Sequence, residues 1–104
     1  MAQFDVYRNP VDTRGDDFPY VLEVQSDLLA HLNIRVVVPL VRADIADPPL
    51  PGLNPRFVVE DRAVVMATTL LGGLPARALR APVASLAERR HEIVGAIDVL
   101  VTGI

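Results

Sequence analysis

Polar and apolar positions alternate with a period of two in two stretches near the start of the chain, and the period becomes helical near its end. Gln3-Phe4-Asp5-Val6-Tyr7 puts Phe4 and Val6 on one face of a first strand. Phe18 to Gln25 resumes the alternation, with Tyr20, Leu22 and Val24 on one face and Glu23 and Gln25 on the other. Ile34 to Val41 is almost continuously apolar and rich in β-branched residues, the pattern of a central strand covered on both sides, with Pro39 marking a bend or bulge. Arg56–Glu60 and Ala63–Thr68 flank the charged turn Asp61-Arg62 and read as a hairpin. Leu70 to Pro75 carries Gly72, Gly73 and Pro75 and reads as a turn, and Ala76–Leu79 as a short edge strand.

Beyond Pro82 the apolar residues Leu86, Ile93, Ile97, Leu100 and Ile104 recur at helical steps, with Arg90 the one interruption of the stripe. Ser85-Leu86-Ala87-Glu88 has the form of a capping box, and Gly103 stands where a left-handed stop belongs. The pattern therefore predicts a helix from Pro82 or Ser85 to Thr102. Two segments predict loops: Arg8–Asp17, with Asn9-Pro10, Gly15 and several aspartates, and Ala46–Gly52, where three of seven residues are proline and cannot donate to a ladder.

Length and composition narrow this outline. At 104 residues the chain predicts one domain, residues 1–104. Hydrophobic residues make up 51% of it, more than so short a monomer readily hides, which points to burial between two subunits. The absence of cysteine removes disulfides and thiolate metal sites. With no signal-peptide pattern, the expectation is a cytoplasmic protein. The longest charge-free run, Ala63–Ala76, is shorter than the roughly 20 residues of a membrane span. Net charge is -3 and the ten basic residues, all arginine, are scattered, so a protein partner is favoured over direct nucleic-acid binding.

Few constellations suggest chemistry. Glu88 and His91 share a helix face in the Glu-x-x-His spacing of di-metal proteins, but one helix and two histidines lack the remaining ligands, so surface ion pairing is the reading. His31 has no cysteine or serine in a nucleophile setting beside it. Asp16-Asp17 reads as a solvated pair, since adjacency alone does not oppose two carboxylates for acid–base work, and Gly72-Gly73 lacks the lysine of a phosphate loop. The end of the chain stands out instead. Val99-Leu100-Val101 runs through Thr102-Gly103 to Ile104 with no polar tail. Residues alone leave two readings open: a helix docked on its own sheet, or a terminus presented to a partner.

Several blocks, in order along nearly the whole chain, are similar to the CcdB family of plasmid-addiction toxins. They are Gln3–Tyr7, Val24-Gln25-Ser26-Asp27-Leu28-Leu29, Arg35–Leu40, Met66-Ala67-Thr68-Thr69 and the ending Ile97–Ile104. The resemblance implies a mainly β, SH3-like antiparallel barrel with one C-terminal helix, assembled as a two-fold homodimer. It implies a toxin without cofactor or catalysis that binds the A subunit of DNA gyrase and traps the cleaved DNA complex, neutralised by a CcdA-like antitoxin.

Carried over by position, the gyrase-facing surface comprises Leu28, Leu29, Asp98, Val101, Thr102, Gly103 and Ile104, and the dimer interface Leu100, Val101, Gly103 and Ile104. Two positions depart from the family pattern: Thr102 replaces a tryptophan and Asp98 an asparagine. A threonine has no aromatic face to stack on an arginine. Two other functions share the outline: an endoribonuclease like the MazF and Kid toxins, on the same barrel, and a detoxified relative that binds only its antitoxin.

Overall fold

The computed structural model describes residues 2–11 and 16–103. Ile104, and the part of the predicted first loop between 12 and 15, lie outside the described residues. The apolar run in the middle of the chain becomes the longest strand, β3 (Ile34–Arg42). Around it come β1 (Asp5–Arg8), β2 (Tyr20–Glu23), β4 (Arg56–Val59), β5 (Arg62–Met66), β6 (Gly72–Pro75), β7 (Ala84–Ser85) and the C-terminal helix α1 (Arg90–Thr102). Short 3₁₀ turns occupy Asp27–Leu29, Thr68–Leu70, Ala76–Ala78 and Ala87–Arg89.

All pairings are antiparallel, in the order β4-β5-β3-β2-β1-β7, with β6 also on β3. The sheet curls into a nearly closed, SH3-like barrel carrying one C-terminal helix, as the resemblance implied. On one side β3 changes partners along its length: Ile34–Val37 pair with β6 and Leu40–Arg42 with β5. Pro39 lies at the handover. It has no N–H to give, and its carbonyl accepts from the Ala67 N–H at 2.9 Å.

Both sheet faces are covered. Val6, Leu22 and Val38 are register partners and enter the main core with Tyr20, Leu40, Phe57 and Met66. The alternate positions Tyr7, Val21 and Val37 form a second cluster with Leu79. This corrects the reading of β2: Glu23 and Gln25, assigned to the polar face, are buried.

Other boundaries also differ from the sequence pattern. β1 starts at Asp5, because Phe4 adopts a left-handed backbone (φ +72°) that turns its N–H onto the Glu23 carbonyl at 2.7 Å. The hairpin turn is Glu60-Asp61 and not Asp61-Arg62. Both turn residues have positive φ, as a type I′ turn demands, and Arg62 pairs with Val59. Gly72–Pro75 is a strand and Ala76–Ala78 a 3₁₀ turn, reversing the predicted turn and edge strand.

The helix begins at Arg90, later than Pro82 or Ser85, and the capping box does not form. Ala84 and Ser85 are taken instead by the edge of β1, with Ser85 opposite Asp5 and the Leu86 N–H bonded to the Phe4 carbonyl at 2.8 Å. The proline-rich loop is held by Asn54, which accepts from the Leu50 N–H at 3.1 Å and donates to the Met66 carbonyl at 3.0 Å.

Candidate functional site

The first half of α1 is its anchor. Ile93 and Ala96 have no exposed surface and pack into the main core, with Leu86 beneath the preceding turn. Arg89 sits 4.8 Å above the Phe57 ring, donates to the Arg56 carbonyl at 3.1 Å and clasps Glu92 through two nitrogens at 2.5 and 2.9 Å. That hydrogen bonding holds the Glu92 carboxyl below its ordinary pKa, and its negative charge in the first turn suits the helix dipole. Arg90, the interruption in the stripe, is exposed and stands 5.9 Å from the Phe4 ring.

The second half of the helix presents the predicted site. Asp98, Val101, Thr102 and Gly103 are exposed, Val101 to 76%. Leu100 is 37% exposed, and Val94, nearly two turns earlier on the helix, is exposed too. The stop is built as the sequence predicts. Gly103 is left-handed (φ +74°) and its N–H bonds the Val99 carbonyl at 2.8 Å. A groove of about 510 Å³ runs beside this half of the helix, lined by Glu92, Gly95, Asp98 and Val99 and by Gly52, Asn54 and Pro55 of the loop opposite.

Leu28 and Leu29 lie elsewhere on the chain, on the 3₁₀ turn between β2 and β3. Leu28 is 88% exposed, and no residue of the turn is buried. The elements that α1 packs against most are the Thr68–Leu70 and Ala87–Arg89 turns. The predicted site therefore falls into two groups, one on the helix end and one on the Asp27–Leu29 turn.

Sequence reasoning missed what lies behind that turn. Arg35 of β3 is 6% exposed, and its two terminal nitrogens donate to the carbonyls of Leu32 (2.8 Å) and Ala30 (2.6 Å). Its Nε is 3.9 Å from a carboxylate oxygen of Glu23, itself 3% exposed, whose other oxygen accepts from the Tyr7 hydroxyl at 3.1 Å. Desolvation raises the Glu23 pKa even though Tyr7 and Arg35 oppose it, and desolvation together with Glu23 raises that of Tyr7. Gln25 donates to the Leu29 carbonyl at 3.1 Å and accepts from the Val36 N–H at 3.0 Å. A charged residue inside each of two apolar strand runs was the available signal.

The remaining candidates are at the surface. Glu88, His91 and His31 are exposed, and among the described residues no group of three or more histidines and carboxylates is placed to hold a metal ion. Asp16 and Asp17 are not merely solvated: they face Arg62 at 2.6 Å and Arg42 at 3.9 Å. Another groove of about 510 Å³ is walled by Phe18, Ile45, Leu50, Leu53, Met66 and Leu70, with Asp17 and Asp47. No described helix is long and apolar enough to cross a membrane.

The arrangement is thus a barrel that buries the Glu23–Arg35 pair and leaves Leu100 and Val101 at the helix end and Leu28 and Leu29 on the turn exposed. The family model described as CcdB protein matches residues 3–103, which takes in every described residue of both exposed groups. The chain belongs to the CcdB family.

Proposed function

We propose that this CcdB-like toxin of a toxin–antitoxin system acts by binding, as a single-domain chain paired in a homodimer, to the A subunit of DNA gyrase. In this reading it traps the cleaved DNA complex and is neutralised by a CcdA-like antitoxin. The observation that carries the reading is the helix end: Val101 is largely exposed, yet the backbone beside it is fixed by the left-handed Gly103 and its bond to Val99. An exposed apolar group on an ordered backbone costs little entropy to dock. Leu28 and Leu29 offer a second apolar contact, and Leu100 with Val101 supplies surface for a partner subunit.

Binding of the purified protein to the gyrase A subunit, measured by calorimetry, tests this together with an assay for gyrase-cleaved DNA. Micromolar or tighter binding with accumulation of cleaved DNA is expected. Absence of both at micromolar concentration overturns the gyrase reading.

A further inference from the structure

We propose that Arg35, helped by Gln25, is a positioning residue for the candidate binding surface: it holds the backbone of the turn after β2 and so fixes where Leu28 and Leu29 are presented. The inference rests on reading that turn as part of the target-binding surface.

The turn has little else to define it. Every residue from Asp27 to Asn33 is exposed, so no buried side chain anchors it to the core. Within the turn, the Ser26 hydroxyl accepts from the Leu28 N–H and the Leu29 and Ala30 N–H groups bond back to Ser26 and Asp27. These local bonds shape the 3₁₀ turn but do not orient it on the barrel. Orientation comes in part from the Gln3 N–H, which bonds the Asp27 carboxylate at 2.7 Å, and from the Ala76 N–H, which bonds the Asn33 carbonyl at the end of the stretch at 2.7 Å. On the other side it comes from three carbonyls, those of Leu29, Ala30 and Leu32, which accept from two buried side chains, Gln25 just after β2 and Arg35 of β3.

Two of the three bonds come from one guanidinium. Its planar fork reaches two carbonyls in fixed relative positions, which a lysine ammonium on a flexible stem does not reproduce. Arg35 can be held in place because Glu23 supplies a counter-charge from the neighbouring strand and Tyr7 occupies the far carboxylate oxygen. The ion pair itself need not stabilise the fold, since burying two charges costs about what their attraction returns. Its use is conformational, relaying the rigidity of the sheet to an exposed turn.

The test separates positioning from stability. Arg35→Met alone strands the buried Glu23 charge and should lower the melting temperature. Glu23→Gln/Arg35→Met removes the orphan charge and should restore most of that loss. If Arg35 positions the turn, the double variant still binds the gyrase A subunit about tenfold or more weakly, and its Leu29, Ala30 and Leu32 amides exchange with solvent about tenfold or more faster, while β2 and β3 amides are unchanged.

Arg35→Lys keeps the charge and serves as the conservative variant. It should fold, with faster exchange at the same three amides. Recovery of both stability and wild-type binding in the double variant overturns the proposal, as does undisturbed exchange at these amides in either the double or the lysine variant. Should the wild-type protein fail to bind gyrase, the function reading falls, and the exchange measurement still decides whether Arg35 orders the turn.

Discussion

The Thr102 hydroxyl donates to the backbone oxygen of Asp98 at 2.6 Å, so this side chain is folded back onto its own helix. Its one donor is thereby used internally, which leaves a target the methyl group, the hydroxyl's lone pairs and the adjoining exposed backbone. Thr102→Trp exchanges that inward bond for an outward aromatic face, worth about 0.5–2 kcal/mol against an arginine. Under the gyrase reading the affinity for the A subunit should rise roughly 2- to 30-fold. Calorimetric titration of both proteins checks this, and an unchanged dissociation constant counts against an aromatic-seeking partner at this position.

Gly95 of α1 and Gly103, which caps its end, should respond with opposite signs to alanine. Gly95 lies mid-helix and a Cβ there would meet nothing within 4 Å, so Gly95→Ala should stabilise by about 0.5–1 kcal/mol. Gly103 has equally open surroundings but a left-handed backbone, so Gly103→Ala carries only the conformational cost, about 1 kcal/mol at the helix end. Urea midpoints should move up for the first and down for the second. A lower midpoint for Gly95→Ala would refute the open-space argument.

Thr68 has no exposed surface, and its hydroxyl serves the carbonyl of Leu53, tying the proline-rich loop to the 3₁₀ turn that α1 packs on. Thr68→Val keeps the shape and leaves that carbonyl unpaired, at a cost of about 1–3 kcal/mol. A drop in melting temperature of roughly 4–8 °C per kcal/mol follows for a domain of this size. Thr68→Ser retains the bond and gives up only the methyl group, so it should lose less, and a Thr68→Val variant as stable as the wild type would show that the bond contributes nothing.

Glu23 predicts a pH dependence of definite sign. Burial raises its folded-state pKa above the ordinary 4.5, so the folded protein holds this proton more tightly than the unfolded chain. The stability it contributes is therefore present at acid pH and is lost as pH rises from 4.5 through the raised value. Tyr7, Arg35 and Asp5 are the ionisable neighbours that tune it. Comparing melting temperatures of wild type and Glu23→Gln across pH isolates the effect. The difference should shift in favour of the wild type as pH falls toward 4.5, and a difference independent of pH would show that Glu23 titrates normally.

The elements most legible in the sequence were those with one dominant pattern. β3 announced itself as a continuous apolar run, and the left-handed Gly103 stop was readable from its place after the periodic residues. What failed depended on partners distant in sequence. Gly72-Gly73 looks like a turn, yet a Cβ on Gly73 would lie 3.0 Å from Ile34 Cγ2, so the residue is small to let β6 approach β3. Ser85 and Glu88 mimic a cap, but the unpaired edge of β1 claims Ser85 first.

The site divided along the same line. The exposed helix end could be followed by position from residue to residue, whereas Arg35 reads as one more residue of a strand until the fold sets it behind the turn at 27–29. Only the register that puts Glu23 opposite Val37 shows that two charges within apolar runs share one interior.

The helix is secured by Ile93 and Ala96, while Val101, Thr102 and Gly103 lie beyond its buried anchor. Heritable change at positions 101 and 102 is thereby largely uncoupled from foldability. Under the gyrase reading, these side chains can be exchanged, and with them the contact made with the target, while the barrel persists. Under that reading, Thr102 can be exchanged without first having to repair the fold.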